Sequence, residues 1–147
     1  MTHILGVSNT WDAGAALITD NRIVAAANEE RFSRIKFFRS FPNDSIGYVL
    51  QAGGVTIDDI DVVASGCWKG LDQTSTLPYL VRDVIHQMSG SNDDTRKTIE
   101  DRIRVSGSQD KKYRDELITG LYDLGVDQNK ISFFDHHYTH AVSAFCP

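Results

Sequence analysis

The sequence predicts an α/β domain: a mixed sheet that begins with an antiparallel meander and is flanked by helices. Three observations predict it. Short apolar runs broken by turn residues occupy the N-terminal region, the apolar period then lengthens to that of helices, and strand-like runs return between the helical stretches. Ile4-Leu5-Gly6-Val7 is the first strand and runs into the polar Ser8-Asn9-Thr10. Ala13–Thr19 and Arg22–Ala27 follow, joined by Asp20-Asn21, and two residues that tolerate positive φ between apolar runs read as a hairpin. Alanine favours helix at 25–27, but the tight turn before it favours strand.

Beyond Phe41-Pro42, Asn43 or Asp44 reads as a helix N-cap. Ile46, Val49 and Leu50 recur at helical spacing, and Gly53-Gly54 stops the helix. Ile60–Ala64 reads as a buried strand ending at Ser65-Gly66. Leu77, Leu80, Val81, Val84, Ile85 and Met88 form an amphipathic helix, with Pro78 in its first turn. Eleven of the 23 residues 90–112 are charged, so this stretch reads as a polar surface segment with one short helix. Tyr113, Leu117, Leu121 and Leu124 restore a helical stripe closed by Gly125, Ile131–Phe134 is a strand, and a helix begins near His136. The order β-β-β-α-β-α-α-β-α resembles the ribonuclease H-like half-domain shared by actin and sugar kinases, an analogy that carries no function alone.

Length and composition narrow the function classes. With 147 residues, 41% apolar and 24% charged, the chain is ordinary globular material for one domain or part of a larger one. A net charge of -5 argues against a general nucleic-acid or membrane-surface binder. Apolar runs such as Ala13–Ile18 fall far short of the roughly 20 residues that span a bilayer. Cys67 and Cys146 lie far apart and read as reduced thiols, and the start Met1-Thr2-His3 lacks the features of a secretory leader. A cytoplasmic location is the expectation.

Three segments can carry chemistry. The turn Ser8-Asn9-Thr10-Trp11-Asp12-Ala13-Gly14 can present backbone N–H groups and hydroxyls to phosphate, or serve as a plain polar loop. In Glu29–Arg39, four basic residues lie among three aromatics. Arg31, Arg34 and Lys36 suit either solvent or an anionic ligand, whereas Phe32, Phe37 and Phe38 are expected in the core. In Asp135-His136-His137-Tyr138-Thr139-His140, a helix would place His136 and His140 on one face at the spacing by which two imidazoles grip a divalent metal. His137 would point elsewhere, towards substrate or a partner that supports a ligand, and a carboxylate or water would still be needed, the next ligand being expected from outside this chain. The alternative is a polar helix start with incidental histidines.

Taken together, these segments resemble the N-terminal part of the NodU/CmcH-type O-carbamoyltransferases. The resemblance rests on ILGVS (4–8), DAGAAL (12–17), the run from Ile23 to Lys36 containing EERFSR, Phe41-Pro42 before a helix, and HHYTHAVSAF (136–145). It implies an actin-like ATPase fold and an enzyme that moves a carbamoyl group to a hydroxyl of a small-molecule acceptor. Carbamoyl phosphate and ATP are the implied substrates, reacting by way of carbamoyl-adenylate. His136 and His140 would bind iron or zinc, with His137 at the same site. Ser8, Asn9, Asp12 and Gly14 would border nucleotide and acceptor; Arg31 and Arg34, from their residue type and not from the resemblance, are candidate cofactor-binding residues. The implied partner is a complementary C-terminal portion or a separate polypeptide carrying the second lobe, with no nucleic acid or membrane, and a homodimer is compatible with it.

Two departures accompany the resemblance. The family's usual histidine before the first-loop aspartate is Trp11 here, and an indole cannot take a proton from an alcohol. Family members are also several times longer. Two other readings stand beside the transferase: a non-catalytic half-fold that docks a partner, and a sugar-kinase-like phosphotransferase.

Overall fold

The computed structural model describes residues 1–67, 97, 101 and 111–145, and at Cys67, His136, His137 and Phe145 the backbone alone. Five strands form one mixed sheet: β1 (His3–Ser8), β2 (Gly14–Thr19), β3 (Arg22–Asn28), β4 (Val62–Cys67) and β5 (Ile131–Asp135), in the order β3-β2-β1-β4-β5. β1 pairs antiparallel with β2 and β2 with β3, while β1, β4 and β5 run parallel. Only β2 opposes the rest. The expected meander is therefore present, and its hairpin turns at Asp20 and Asn21, with φ of 47° and 65°. Both central residues of such a two-residue turn need positive φ, which these two side chains tolerate.

Among the described residues the continuous helices are α1 (Glu30–Ser33), α2 (Asn43–Gly53), α3 (helical residues 111–123) and α4 (His136–Phe145). Alternation along the strands turns Leu5, Val7, Ala15, Leu17 and Val63 to one sheet face. There they pack with Ile46 and Val49 of α2 and Leu117 and Leu121 of α3. The alanines of β3 suit this packing, since Ala25 lies against the core beneath α2 without crowding it. α4 takes the opposite face, where Thr139 rests on Gly66. Glycines end both core helices. Gly54 (φ 65°) donates to Gln51 O, and Val55 donates back to Leu50 O. Gly125 (φ 88°) and Val126 repeat the arrangement on Tyr122 O and Leu121 O.

Three expectations need correction. The fourth strand runs Val62–Cys67 rather than Ile60–Ala64, because residues 57–59 form a 3₁₀ turn capped reciprocally by Thr56 and Asp59. Ile60 is still buried, at the end of that turn. Helix α2 has Pro42 at its N-cap, so Asn43 and Asp44 lie inside its first turn, and the capping carboxylate comes from elsewhere. Phe32 and Phe37 are 39% and 60% exposed instead of buried. Phe32 sits on the single-turn helix α1, which buries none of its residues, and its ring lies against Tyr48 of α2. The amphipathic helix expected at Leu77–Met88, Trp68, Cys146 and most of residues 90–112 lie outside the described residues; Lys97 and Asp101 are helical and exposed.

Candidate functional site

The parallel strands β1, β4 and β5 end at one edge of the sheet, β3 ends there too, and β2 begins there. Ser8 pairs with Gly14 and Gly14 with Asn28, while Cys67 pairs with Asp135. The first loop (9–13) and the start of α4 therefore emerge from the same edge, separated by β4. Two inter-strand spacings make that roughly 10 Å. The crevice outside the carboxyl ends of strands is where open α/β sheets bind ligands.

Within the first loop the predicted residues divide. Asn9 is buried and its amide donates to Tyr113 O at 2.7 Å, which anchors the loop to α3. Ser8 is half-buried, its hydroxyl 3.4 Å from that of Thr10. Asp12 is exposed, with φ of 55°. Gly14 answers to space: a Cβ there would come within 2.5 Å of Ala27 O, so the backbones of β2 and β3 approach only because it is glycine. Ala13 ties the loop to its neighbours, donating to Phe38 O at 3.0 Å and accepting from Glu29 N at 2.8 Å.

Glu29 is the residue that sequence reasoning missed. Its carboxylate is buried and accepts the N–H groups of Asp44 (3.1 Å) and Ser45 (2.8 Å), supplying the cap that Pro42 cannot. The signal was a helix opening on proline, whose ring offers no acceptor. Glu116 was missed as well: one of its oxygens accepts from both the Ser40 hydroxyl and the Phe41 N–H. Together Glu29 and Glu116 fix the corner at residues 40–45 behind the loop.

Arg31 and Arg34 are exposed, on α1 and on its left-handed cap (φ 61°). Arg39 stacks its guanidinium on the ring of Trp11, which remains 65% exposed. At the other end of the crevice, Asp135 accepts the Tyr138 N–H at 3.0 Å and caps α4, which occupies that oxygen. His136 and His140 lie one turn apart on α4, with His137 beside them, and His140 is exposed. The spacing and donor chemistry fit two of the ligands of a divalent metal. Among the described residues no group of three His, Cys, Asp or Glu side chains is gathered to complete such a site.

The family model for the carbamoyltransferase N-terminus matches residues 3–147. The chain belongs to this family. This carbamoyltransferase N-terminal domain is 34% identical over its whole length to an uncharacterized protein of Synechocystis, covering 23% of that protein. It is 30% identical over 96% of its length to nodulation protein NolNO of Sinorhizobium fredii, covering 18% of it. A shorter match, 40% identical over 43% of the chain and 12% of the relative, links it to an uncharacterized protein of Methanocaldococcus jannaschii. The carbamoyltransferase N-terminal domain thus spans about a fifth of the length of the curated relatives that it matches end to end. No described helix is long and apolar enough to cross a membrane.

Proposed function

We propose that this chain is the N-terminal lobe of an O-carbamoyltransferase with the ribonuclease H-like, actin-like ATPase fold. The sheet order with β2 alone reversed supports the fold assignment. The observation that carries the functional reading is the convergence of the first loop and the α4 start on one sheet edge, in a chain whose family match covers both. The reaction is transfer of a carbamoyl group, supplied by carbamoyl phosphate and ATP as carbamoyl-adenylate, to a small-molecule hydroxyl. It is completed by a C-terminal portion or partner polypeptide.

His136 and His140 would hold iron or zinc, which when bound offsets phosphate charge and polarises the carbamoyl carbonyl. Ser8, Asn9 and Gly14 border the phosphates through the loop backbone, and Arg31 and Arg34 reach phosphate oxygens as bidentate donors. Asp12 orients the acceptor hydroxyl. Trp11 can take no proton, so His137 accepts it as the hydroxyl oxygen bonds to the carbamoyl carbon and AMP departs.

The test uses the full-length protein containing this chain, incubated with carbamoyl phosphate, ATP and a panel of hydroxyl compounds, with products read by mass spectrometry. Carbamoylated product is expected, with metal content falling in His136→Ala and His140→Ala. His137→Ala should lower turnover by roughly 10²- to 10⁴-fold without losing metal. A phosphorylated product would replace this reading with phosphotransfer, and unchanged metal content in both variants would remove the metal assignment.

A further inference from the structure

Residues 31–39 hold Arg31, Arg34, Lys36 and Arg39 in a chain of net charge -5, and all four are exposed. Among the described residues none of them is paired with a carboxylate. Of the four, Arg39 is the one whose guanidinium carbon lies over an aromatic ring, that of Trp11. A guanidinium over an aromatic face keeps its N–H donors in its own plane, and where that plane follows the ring it can still meet an anion with two parallel hydrogen bonds. Because the stack has already restricted the side chain, binding an anion costs less ordering than at a free arginine.

The indole contributes a second surface. One face carries Arg39, yet Trp11 is 65% exposed, so its other face and its edge are open. Ile35 and Phe37, 57% and 60% exposed, supply further apolar surface on the same segment as Arg39. Phe37 has φ of 54°, a conformation bulky residues seldom adopt, and Ala13 N–H holds the next residue's carbonyl at 3.0 Å. The loop that bears Trp11 and the segment that bears Arg39 are thus bonded to each other at the ligand-binding edge of the sheet.

We propose that Arg39 and Trp11 form a preorganised receptor for a small molecule joining a planar ring to an acidic group. The ring stacks on the open indole face, and the carboxylate or phosphate takes the guanidinium donors. This rests on the transferase reading only in naming that molecule as the acceptor, whose hydroxyl would face Asp12; the receptor itself is a property of this chain.

The test is a fluorescence titration of the 147-residue chain carrying Trp68→Phe, which leaves Trp11 as its single indole. The probes are benzoate, phenyl phosphate, inorganic phosphate and phenol. Saturable quenching by the two aryl anions is expected, with benzoate and phenyl phosphate separating carboxylate from phosphate preference. Phenol and inorganic phosphate should each bind about tenfold more weakly or less, since each lacks one half of the match. Arg39→Gln should weaken aryl-anion binding by about tenfold or more, and Arg39→Lys should restore only part of it, because an ammonium keeps the charge but not the fork. Circular dichroism checks that both variants keep the fold. Equal quenching by phenol and benzoate, no saturable quenching, or unchanged binding in Arg39→Gln would each overturn the receptor. Any of these would leave carbamoyl transfer by the full-length protein standing, and a failed transfer assay would leave the titration standing.

Discussion

At the scale of single residues, two glycines separate space from conformation. Gly14 lies where a Cβ would press on Ala27 O and Asn28 Cα, both backbone atoms that cannot step aside without moving β3. Gly47 sits exposed in the middle of α2 with nothing within 4 Å of an added Cβ. Alanine at the two positions should therefore act in opposite directions. Gly47→Ala is expected to stabilise by about 0.5–1 kcal/mol through helix propensity, and Gly14→Ala to destabilise by about 1–3 kcal/mol through overpacking. Urea unfolding of both variants checks the signs. Gly14 was legible in the sequence as part of a candidate ligand loop, but its steric reason was not, because β3 approaches it from 14 residues further along the chain.

Secondary-structure elements show where local pattern sufficed and where it did not. The hairpin at Asp20-Asn21, the glycine ends of α2 and α3 and the strand after Lys130 were readable, since each depends on residues within a few positions. Helix α2 was readable as a helix but not in its cap, which arrives from the end of β3. Glu29→Ala takes the acceptor from the N–H groups of Asp44 and Ser45, the second of them buried, and should cost about 1–3 kcal/mol, measured in urea, with Glu29→Gln recovering part. The shift of β4 has the same kind of cause on a shorter range. Asp59 accepts from the Thr56 N–H and hydroxyl, and these two bonds hold its carboxyl below the ordinary value of 3.8. A carboxyl depressed in the folded state adds stability above its unfolded value and loses it as pH falls through the folded one. Wild type should therefore lose stability below about pH 4 more steeply than Asp59→Asn, measured by thermal unfolding across pH 2.5 to 6.

At the scale of the molecule, and among the described residues, α3 joins the candidate site to the core. Leu117 and Leu121 bury one stripe of it under the sheet, while Tyr113 O takes the first loop through Asn9 and Glu116 takes the corner at Ser40 and Phe41. Gly120, a turn further on, lies under the Phe41 ring. These ties span 104 and 76 residues, so no local pattern could announce them, whereas the histidines at 136, 137 and 140 were singled out as candidates by type and spacing alone. The two ties meet on adjacent turns of one helix, and a change in either should be felt by the other. Asn9→Ala and Glu116→Ala are each expected to destabilise by about 1–2 kcal/mol, and the double variant by less than their sum, with a coupling of about 0.5 kcal/mol or more. Loosening the first loop while leaving α4 intact should also separate two readouts in the full-length protein: metal content unchanged, carbamoyl transfer reduced. Strict additivity of the two substitutions would show that α3 holds the loops independently, and the site's geometry would then depend on each loop's own bonds rather than on the helix beneath both.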